Sequence, residues 1–531
     1  MSRIILRVFA IASTSLLVSC TAGKTVTGSK TSEKPNIIFI MTDDHAKKAM
    51  SAYSHDLIET PNLDRIAREG IQFNNAFVTN SLCGPARAVF LTGKYSHING
   101  FRANFDTFDG SQPTLPKYLK TEGYYTAIVG KWHLVSTPQG FDEYSVMIDQ
   151  GEYYSPRFYN GKDTVSVKGY ATDIITDKAI NILEQQKGSG KPIFLMVHQK
   201  APHRDWMPNV TDLENTNEKY YQLPETFFDD YKNRTKAATM ADMRIEDMFL
   251  GYDLKLYLKN AKEETNTGGD KNSTKNSYNW LLNEYESMTA VQKEIWDKYY
   301  KPISDAYYAN KPIGDELVKW KYNRFMNDYL KTVKSVDDNV GRLLDYLDKK
   351  GLAENTLIIY TSDQGFFLGE HGWFDKRFMY EPSLTMPLVM RYPSKIKKNI
   401  KTDELVQNLD LAPTILKAAG MEVPDEMQGN SLDVFFRGKS PDNWKDKIYY
   451  HFYESNAWHQ VQKHFGIRTK KYKLIYFYDL KDWELYDLEK DPNEINNLYH
   501  KPGYKKIVSQ LKTELKSLIT KYKDSTAVDF E

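Results

Sequence analysis

The chain has 531 residues, with 71 lysines and arginines against 70 aspartates and glutamates, and only two cysteines. A net charge of +1 excludes a strong bulk attraction to nucleic acid or to an anionic membrane surface, so the substrate must be recognised by local sites. With 41% hydrophobic and 13% aromatic residues the chain can bury sizeable cores, and its length suggests two or three packed units.

The N-terminal segment predicts an exported protein with a lipid anchor. Two arginines precede an apolar stretch at 8–18, and LVSC follows at 17–20, which is the form of a lipoprotein signal. We therefore expect a signal peptide over 1–20, lipidation of Cys20, and a flexible tether over 21–34. An ordinary secretory signal is the alternative, and either one exports the chain. We expect a periplasmic protein that touches the membrane through its lipid only, because the apolar run is too short for a permanent span.

Four apolar runs predict strands that are buried on both faces, as in a parallel sheet. They lie at 35–42, 125–129, 193–197 and 357–360. Helical patterns separate them, among them 62–69 and 326–350. This alternation indicates an α/β fold, in which ligands bind beyond the carboxyl ends of the strands. Polar residues follow each run, so these strand ends predict the functional site.

The pattern changes twice further along the chain. Residues from about 209 to 321 are rich in Tyr, Lys, Asn and Glu and poor in strand signals, which predicts a mostly helical insertion with a polar surface loop. After Pro441, four short strand patterns precede an amphipathic helix at 504–522. We therefore predict a catalytic domain over 35–440 and a smaller C-terminal α+β domain over 441–531 that contains an antiparallel sheet.

Oxygen-bearing side chains follow the first and the last of the four predicted strands. Asp43 and Asp44 come directly after the first, and Asp363 and Gln364 follow the last in the sequence SDQG at 362–365. A set of ligands made only of oxygen suits a hard cation such as calcium. The alternative for the aspartate pair is a helix cap. Convergence of the two pairs at one edge of the sheet favours a metal.

Basic side chains follow the other strand ends. Lys131 and His133 are two residues apart, so on an extended segment they point to the same side. Together with His203 and Lys376 they would supply the positive charge and the proton transfer that an oxyanion substrate needs. Taken singly, each residue could equally be a solvated charge or part of a structural network.

Cys83 lies in the stretch SLCGPARAVFLTGKY at 81–95. Exported proteins usually pair their cysteines, but lipidation of Cys20 would leave Cys83 without a partner. We therefore expect a free or chemically modified thiol at this position.

The motif CGPAR at 83–87, continued by LTGKY at 91–95, resembles the signature of the type I sulfatases, in which the cysteine is converted to formylglycine (3-oxoalanine). Five further clusters resemble that family in the same chain order: DD at 43–44, GKWH at 130–133, APH at 201–203, SDQG at 362–365, and GEHG at 369–372 followed by DK at 375–376. The resemblance covers 35 to about 392. It implies an alkaline-phosphatase-like fold, with a mostly parallel sheet flanked by helices.

The resemblance also implies a role for each matching residue. A maturation enzyme would convert Cys83 to the aldehyde, whose hydrate attacks sulfur and later collapses to expel sulfate. Ca²⁺ would be held by Asp43, Asp44, Asp363 and Gln364. Arg87 would stabilise the hydrate, Lys131 and Lys376 would clamp the sulfate, His133 would take the second proton of the hydrate, and His203 would protonate the departing alcohol. Ala86 stands where many members have serine, so modification would depend on the host.

Three stretches resemble bacterial sulfatases grouped with the N-acetylglucosamine-6-sulfatases: KAPHRDWMP at 200–208, FDKRF at 374–378 and QKHFGIR at 462–468. The resemblance implies a 6-O-sulfated N-acetylglucosamine of heparan-type or mucin-type glycans as the substrate. The candidate sugar contacts are His371, Trp373, Arg377 and His464, since aromatic and basic side chains suit sugar faces and carboxylates. A structural role is the alternative for His464, and Trp206 is expected to fill core.

Two other functions stay open at this point. A phosphomonoester or phosphonate hydrolase of the same superfamily would use a similar set of side chains. A catalytically inactive glycan-binding lipoprotein would be expected to lack a catalytic residue, whereas every expected type is present. The position of the sulfate, exo or endo action, the membrane leaflet and the oligomeric state also stay open.

Overall fold

A ten-stranded mixed sheet lies at the centre of the computed structural model. The structure describes residues 1, 34–214, 218–259, 271–454 and 458–530, and only the backbone of 271–276 and 458. All of the predicted signal peptide except Met1, including Cys20, and all of the predicted tether except Lys34 therefore lie outside the described residues.

The strands follow one another along the described chain. They are β1 (Asn36–Thr42), β2 (Ile71–Phe77), β3 (Tyr125–Lys131), β4 (Glu143–Met147), β5 (Arg157–Tyr159), β6 (Thr164–Ser166), β7 (Ile193–His198), β8 (Thr356–Ser362), β9 (Phe367–Leu368), β10 (Phe374–Asp375), β11 (Leu388–Arg391), β12 (Ile400–Gln407), β13 (Lys447–Phe452), β14 (His464–Thr469), β15 (Tyr472–Phe477) and β16 (Asp482–Asp487).

The helices surround these strands. They are α1 (Pro61–Arg68), α2 (Cys83–Thr92), α3 (Ser96–Asn99), α4 (Leu115–Thr121), α5 (Ala171–Gln185), α6 (Val210–Glu214), α7 (Lys236–Met240), α8 (Lys271–Ser287), α9 (Ala290–Asn310), α10 (Gly314–Lys349), α11 (Glu381–Leu384), α12 (Leu411–Ala418) and α13 (Lys505–Tyr522). None of the helices described here is both long and apolar enough to cross a membrane.

The large sheet has the strand order β12-β2-β11-β8-β1-β7-β3-β4-β5-β6. Its centre is parallel: β1 pairs with β7 on one side and with β8 on the other, and β3 pairs with β7. In β1 every side chain after Asn36 is buried, because helices cover both faces of the sheet. The predicted α/β fold and its four buried strands are confirmed.

Strands β2, β11 and β12 extend the sheet on the far side of β8, and the sequence patterns did not predict them. In β2 the residues Asn74 and Asn75 interrupt the apolar run, and in β12 exposed residues alternate irregularly with buried ones. Strand β11 is only four residues long and runs antiparallel to both of its neighbours, β2 and β8. Such strands are defined by their pairing partners more than by their own periodicity.

The C-terminal region forms a four-stranded antiparallel sheet in the order β13-β14-β15-β16, with α13 packed against it. This arrangement matches the four strands and the helix that the sequence predicts. By contact, 34–531 forms one compact unit, and side chains of β13, β15 and β16 belong to the same hydrophobic cluster as side chains of β1 and β2. The domain boundary at 441 stays a prediction.

Between 209 and 321 the described residues form the helices α6 to α9, the start of α10 and connecting turns, with no strand of the three sheets. Part of the predicted polar loop, 265–270, lies outside the described residues, and the backbone of 271–276 belongs to α8. The insertion packs on the core through aromatic residues such as Trp296 and Tyr300. Both are buried in the hydrophobic cluster that also contains side chains of the central strands and of α5 and α10.

Candidate active site

The loops that follow β1, β3, β7 and β8 meet at one edge of the sheet, because these strands are parallel. Helix α2 begins at this edge, and its first residue, Cys83, is buried. The Sγ atom of Cys83 lies 3.3 Å from Oδ1 of Asp43 and 3.5 Å from Nε2 of Gln364. The thiol therefore sits among the predicted metal ligands.

Three carboxylates crowd together beneath the thiol. Asp43, Asp44 and Asp363 each offer an oxygen within 4.8 Å of the others. Burial together with the Asp43 carboxylate raises the pKa of Asp363 to about 8, and burial raises the pKa of Asp44 to about 6 although Lys376 opposes the rise. Carboxylates packed this closely are stabilised by a cation between them.

Gln364 completes an all-oxygen donor set. Its Nε2 donates to Oδ1 of Asp44 at 2.5 Å, which fixes the orientation of the amide. Its Oε1 is buried and accepts no hydrogen bond from the residues the structure describes. A buried amide oxygen without a donor, next to three carboxylates, fits a hard cation such as calcium.

Three cationic side chains surround the carboxylates. The Arg87 guanidinium donates to Oδ2 of Asp363 from Nη2 at 2.9 Å and from Nε at 3.1 Å. Nζ of Lys376 lies 2.7 Å from Oδ2 of Asp44, and Nζ of Lys131 forms an ion pair with Oδ2 of Asp43. Burial alone would raise the pKa of Asp43, but these positive charges, led by Lys131, hold it well below its usual range.

The unmodified Cys83 thiol is a weak nucleophile in this environment. Burial and the neighbouring Asp43 carboxylate raise the pKa of the Cys83 thiol well above its ordinary value. The thiolate is the nucleophilic form, so unmodified Cys83 would attack poorly at neutral pH. This environment agrees with the prediction that the cysteine is a precursor of the nucleophile.

Two histidines border the group. His203 places Nε2 3.8 Å from Oδ2 of Asp44, and its Nδ1 donates to the carbonyl of Arg204 at 2.5 Å. The atom that faces the site is therefore Nε2, which is free to carry or accept a proton. Burial and the charge of Lys131 lower the pKa of both His203 and His133 well below the ordinary value.

Gln150, in the loop after β4, is a site residue that the sequence patterns missed. Its Oε1 accepts from Nζ of Lys131 at 2.6 Å, and its Nε2 lies 3.0 Å from Nε2 of His133. Because lysine can only donate, the amide nitrogen must face His133, which places the proton of a neutral His133 on Nδ1. A single glutamine in a loop carries no recognisable sequence signal, so the contact of Gln150 with both Lys131 and His133 could be found only from the structure.

Three of the four predicted sugar contacts lie in the interior. His371 pairs with Asp229 at 2.8 Å, and Trp373 is fully buried with its ring stacked on Tyr231. His464 is also fully buried. Their described contacts are structural, so the structure gives the sugar-contact prediction no support at these positions. The structure likewise buries Trp206 completely in a hydrophobic cluster, as expected for core.

Arg377, the fourth candidate, is buried, and burial opposes a rise of its pKa that Asp375 and Glu454, with a smaller contribution from Cys83, bring about. Its Nη1 donates to Oε1 of Glu454 at 2.8 Å. His459 lies close by, with Nε2 3.3 Å from Oδ2 of Asp375. Asp375, Glu454 and His459 were not among the predicted site residues, because they come from separate parts of the chain and match no local motif.

Known families and relatives match this chain along most of its length. The family described as Sulfatase matches residues 35–421, and the family described as N-sulphoglucosamine sulphohydrolase, C-terminal, matches residues 369–521. The N-acetylglucosamine-6-O-sulfatase of Bacteroides thetaiotaomicron is 49% identical over 500 residues, which cover 93% of this chain and 88% of the relative. An arylsulfatase of Clostridium perfringens is 25% identical, over 90% of this chain and 93% of the relative.

A solved structure gives the same result in three dimensions. A protein in complex with its substrate D-glucosamine-2-N,6-O-disulfate is 49% identical and superposes with a TM-score of 0.87, over 93% of this chain and 99% of that chain. Fold and sequence therefore point to the same family.

Proposed function

Because the chain belongs to the sulfatase family of sulfuric ester hydrolases, we propose that it removes the 6-O-sulfate of N-acetylglucosamine or a related glucosamine in heparan-type or mucin-type glycans. The observation that carries the choice of sugar is the 49% identity to the Bacteroides N-acetylglucosamine-6-O-sulfatase across 93% of the chain. The intact set of charged side chains around Cys83 supports the chemistry.

The residues of this chain would bind and orient the sulfate group. Lys131 pairs with Asp43 and Lys376 pairs with Asp44, and both would pair with sulfate oxygens as charge shifts toward them. When present, formylglycine made from Cys83 would supply a nucleophilic hydroxyl, and calcium held by Asp43, Asp44, Asp363 and Gln364 would supply further positive charge. Arg87 is fixed by two hydrogen bonds to Asp363, so its guanidinium would stay beside residue 83.

The two histidines would move the protons. His203 has its Nδ1 fixed by the Arg204 carbonyl, so its Nε2 faces the site and would donate to the departing sugar oxygen from the protonated ring. The negative charge of a bound sulfate ester would favour that protonated form, against the burial and the Lys131 charge that lower the pKa of His203. His133 would accept a proton from the modified residue 83 at Nε2, the basic atom of its neutral ring. Gln150 donates to that same atom, so this hydrogen bond would have to open for the transfer. Ester cleavage requires one group that donates a proton to the leaving oxygen and another that takes one from the nucleophile.

The test is sulfate release from a panel of sulfated monosaccharides that includes 6-sulfated N-acetylglucosamine and N-acetylgalactosamine, with the protein matured in a competent host. We expect release from 6-sulfated N-acetylglucosamine and none with Cys83→Ala or Cys83→Ser. Cleavage of a different sulfated sugar instead would contradict the proposed substrate. Phosphate release without sulfate release would favour a phosphomonoester hydrolase, and binding without release would favour an inactive glycan-binding protein.

We also propose that the mature protein is a lipid-anchored periplasmic protein. The support is the LVSC sequence at 17–20 after an apolar stretch. Metabolic labelling with a fatty acid should mark the wild-type chain and leave Cys20→Ala unlabelled. Equal labelling of the two would show that Cys20 is not the lipidated residue.

A further inference from the structure

A cavity of about 440 Å³ lies beside the loop that follows α3. Its aromatic lining consists of Phe105, Tyr453 and Tyr478, and its charged lining includes Arg102, Asp106 and Lys463. The Phe105 side chain is 71% exposed. Aromatic rings at the mouth of a concave site, with a few polar groups around them, are typical of ligand-binding cavities.

The cavity lies next to the sulfate site. Asn104, between two lining residues, accepts from the backbone N–H of Gly84 at 3.0 Å, and Gly84 directly follows Cys83. The backbone N–H of Asn104 donates to Glu454 at 3.2 Å, and the other carboxylate oxygen of Glu454 binds Arg377. Asn104 therefore connects the lining of the cavity directly to the residue that follows Cys83.

Arg102 is the charged side chain of the cavity lining that is available to an anionic group. The carboxylate of Asp106 accepts two backbone N–H groups of its own loop, at 2.8 and 3.0 Å, and Lys463 is paired with Asp479 at 3.3 Å. Arg102 forms no ion pair with any carboxylate in the described part of the chain. Arg102 lines the same cavity as the rings of Tyr453 and Tyr478. Burial and the Asp524 carboxylate raise the pKa of both tyrosines, and the charge of Arg102 opposes the rise.

We propose that this cavity binds the sugar next to the one that carries the scissile sulfate, and that this neighbouring sugar bears an acidic group. The inference rests on the proposed function, because it positions a glycan chain relative to the sulfate site. Phe105 and the two tyrosines would cover the apolar face of the sugar ring, and Arg102 would pair with its carboxylate or sulfate oxygens. A carboxylate and a sulfate ester both present anionic oxygens to an arginine. The test therefore uses one substrate with the carboxylate alone and one with an added sulfate to distinguish the two groups.

The test compares the monosaccharide 6-sulfated N-acetylglucosamine with disaccharides in which that sugar is joined, at either end, to glucuronate, to 2-O-sulfated glucuronate or to a neutral hexose. The variants are Phe105→Ala and Arg102→Gln. The matched controls are Phe228→Ala, whose ring is 52% exposed elsewhere on the surface, and Arg68→Gln, whose side chain is also exposed elsewhere.

We expect both variants to keep the wild-type kcat/KM on the monosaccharide within about twofold. Phe105→Ala should lower kcat/KM by roughly five- to tenfold on every disaccharide that binds the cavity, and Arg102→Gln should lower it by a similar factor on the acidic ones only, through KM in both cases. A larger effect with one acidic disaccharide identifies carboxylate or sulfate as the recognised group. Wild-type values on the acidic disaccharides, or an equal loss on the monosaccharide, would overturn the proposal.

A binding measurement separates this inference from the proposed function. Cys83→Ala protein is titrated with the same disaccharides by calorimetry, with and without Phe105→Ala. If the wild type releases sulfate from no substrate, the proposed function fails, whereas binding that is lost with Phe105→Ala still supports the cavity. Binding that is equal with and without Phe105→Ala, or no binding at all, overturns the inference.

Discussion

Gln150 joins Lys131, the last residue of β3, to His133, because its amide oxygen binds Lys131 and its amide nitrogen binds His133. Gln150→Ala should leave both side chains free to turn and lower kcat/KM by about tenfold. Gln150→Glu should keep the contact with Lys131 but place a negative charge beside His133, which raises the pKa of that histidine. The pH profile of kcat/KM should then shift upward in Gln150→Glu.

Exposed Gln139 provides the control, since Gln139→Ala should leave the profile unchanged. An unchanged profile for Gln150→Glu as well would show that Gln150 has no influence on proton transfer. Rate loss in Gln150→Ala without any change in the profile of Gln150→Glu would indicate a purely structural role.

His464 is a buried neutral histidine whose tautomer is fixed. Its Nε2 accepts from the backbone N–H of Met379 at 3.1 Å, and its Nδ1 donates to the carbonyl of Gln462 at 2.8 Å. Burial lowers the pKa of His464 to about 3. As the pH falls below about 6.5, this histidine becomes protonated in the unfolded chain but stays neutral in the folded chain. The free energy of unfolding therefore decreases between pH 6.5 and about 3.

We therefore expect this histidine to remove roughly 2 kcal/mol of the unfolding free energy between pH 7.5 and pH 5. In His464→Gln that part of the pH dependence should disappear, as measured by urea unfolding at the two pH values. The side chain of His55 is 71% exposed, and His55→Gln is the control. An equal pH dependence in His464→Gln and the wild type would rule out this role.

At the scale of elements, helix α8 of the insertion is connected by hydrogen bonds to the loop that carries His203. Glu284 of α8 accepts from the backbone N–H groups of Tyr153 and Tyr154, at 2.7 and 3.1 Å. The hydroxyl of Tyr153 then donates to the carbonyl of His203 at 2.6 Å. The insertion therefore fixes the backbone at the position of the proposed acid.

Tyr153→Phe removes this hydrogen bond and keeps the buried ring. We expect kcat to fall by about three- to tenfold with KM nearly unchanged, because the proposed acid loses its alignment while the sulfate-binding cations stay in place. Tyr154→Phe is the matched control, since its hydroxyl donates to the carbonyl of Pro208 instead. Equal kinetic losses in the two variants would contradict a specific role of Tyr153.

Strands that are buried on both faces appear in the sequence as continuous apolar runs, so β1, β3, β7 and β8 could be predicted. The charged residues of the site were predicted from the short motifs that follow these runs. Sequence patterns do not predict β11, whose four residues become a strand only between β2 and β8. They also miss Gln150, because its two partners precede it by 19 and 17 residues and only the turn after β4 brings them together. Local periodicity carries no information on such long-range contacts.

At the scale of the whole molecule, the C-terminal sheet supports the loops of the site. The hydroxyl of Tyr450 in β13 donates to the carbonyl of Arg377 at 2.6 Å and accepts from the backbone N–H of Ser81 at 3.2 Å. One side chain thus fixes the segment before Cys83 and the segment after Lys376. The sequence predicted a separate small domain, but composition gives no sign that its inner face shares the core of the large sheet.

A buried ion cluster strengthens this connection. Glu381 of α11 lies 2.9 Å from Nζ of Lys473 and 3.2 Å from Nη2 of Arg468, both in the C-terminal sheet. Lys473 is fully buried and also pairs with Glu494 at 2.6 Å. Burial alone would raise the pKa of Glu381, but Arg468 and Lys473 hold it well below its usual range. Two carboxylates and two cations thus balance one another, and removing any one of them leaves a charge without its partner.

Glu381→Gln should therefore lower the free energy of unfolding by about 3 kcal/mol, because it leaves buried positive charge without compensation. Since the two sheets share one core, hydrogen exchange of slow amides in β8 and in β15 should accelerate together. Glu404→Gln is the control: its partner Lys470 is 55% exposed, so the loss should stay below about 1 kcal/mol. Faster exchange in β15 with β8 unchanged would mean that the C-terminal sheet unfolds independently, as a separate domain would.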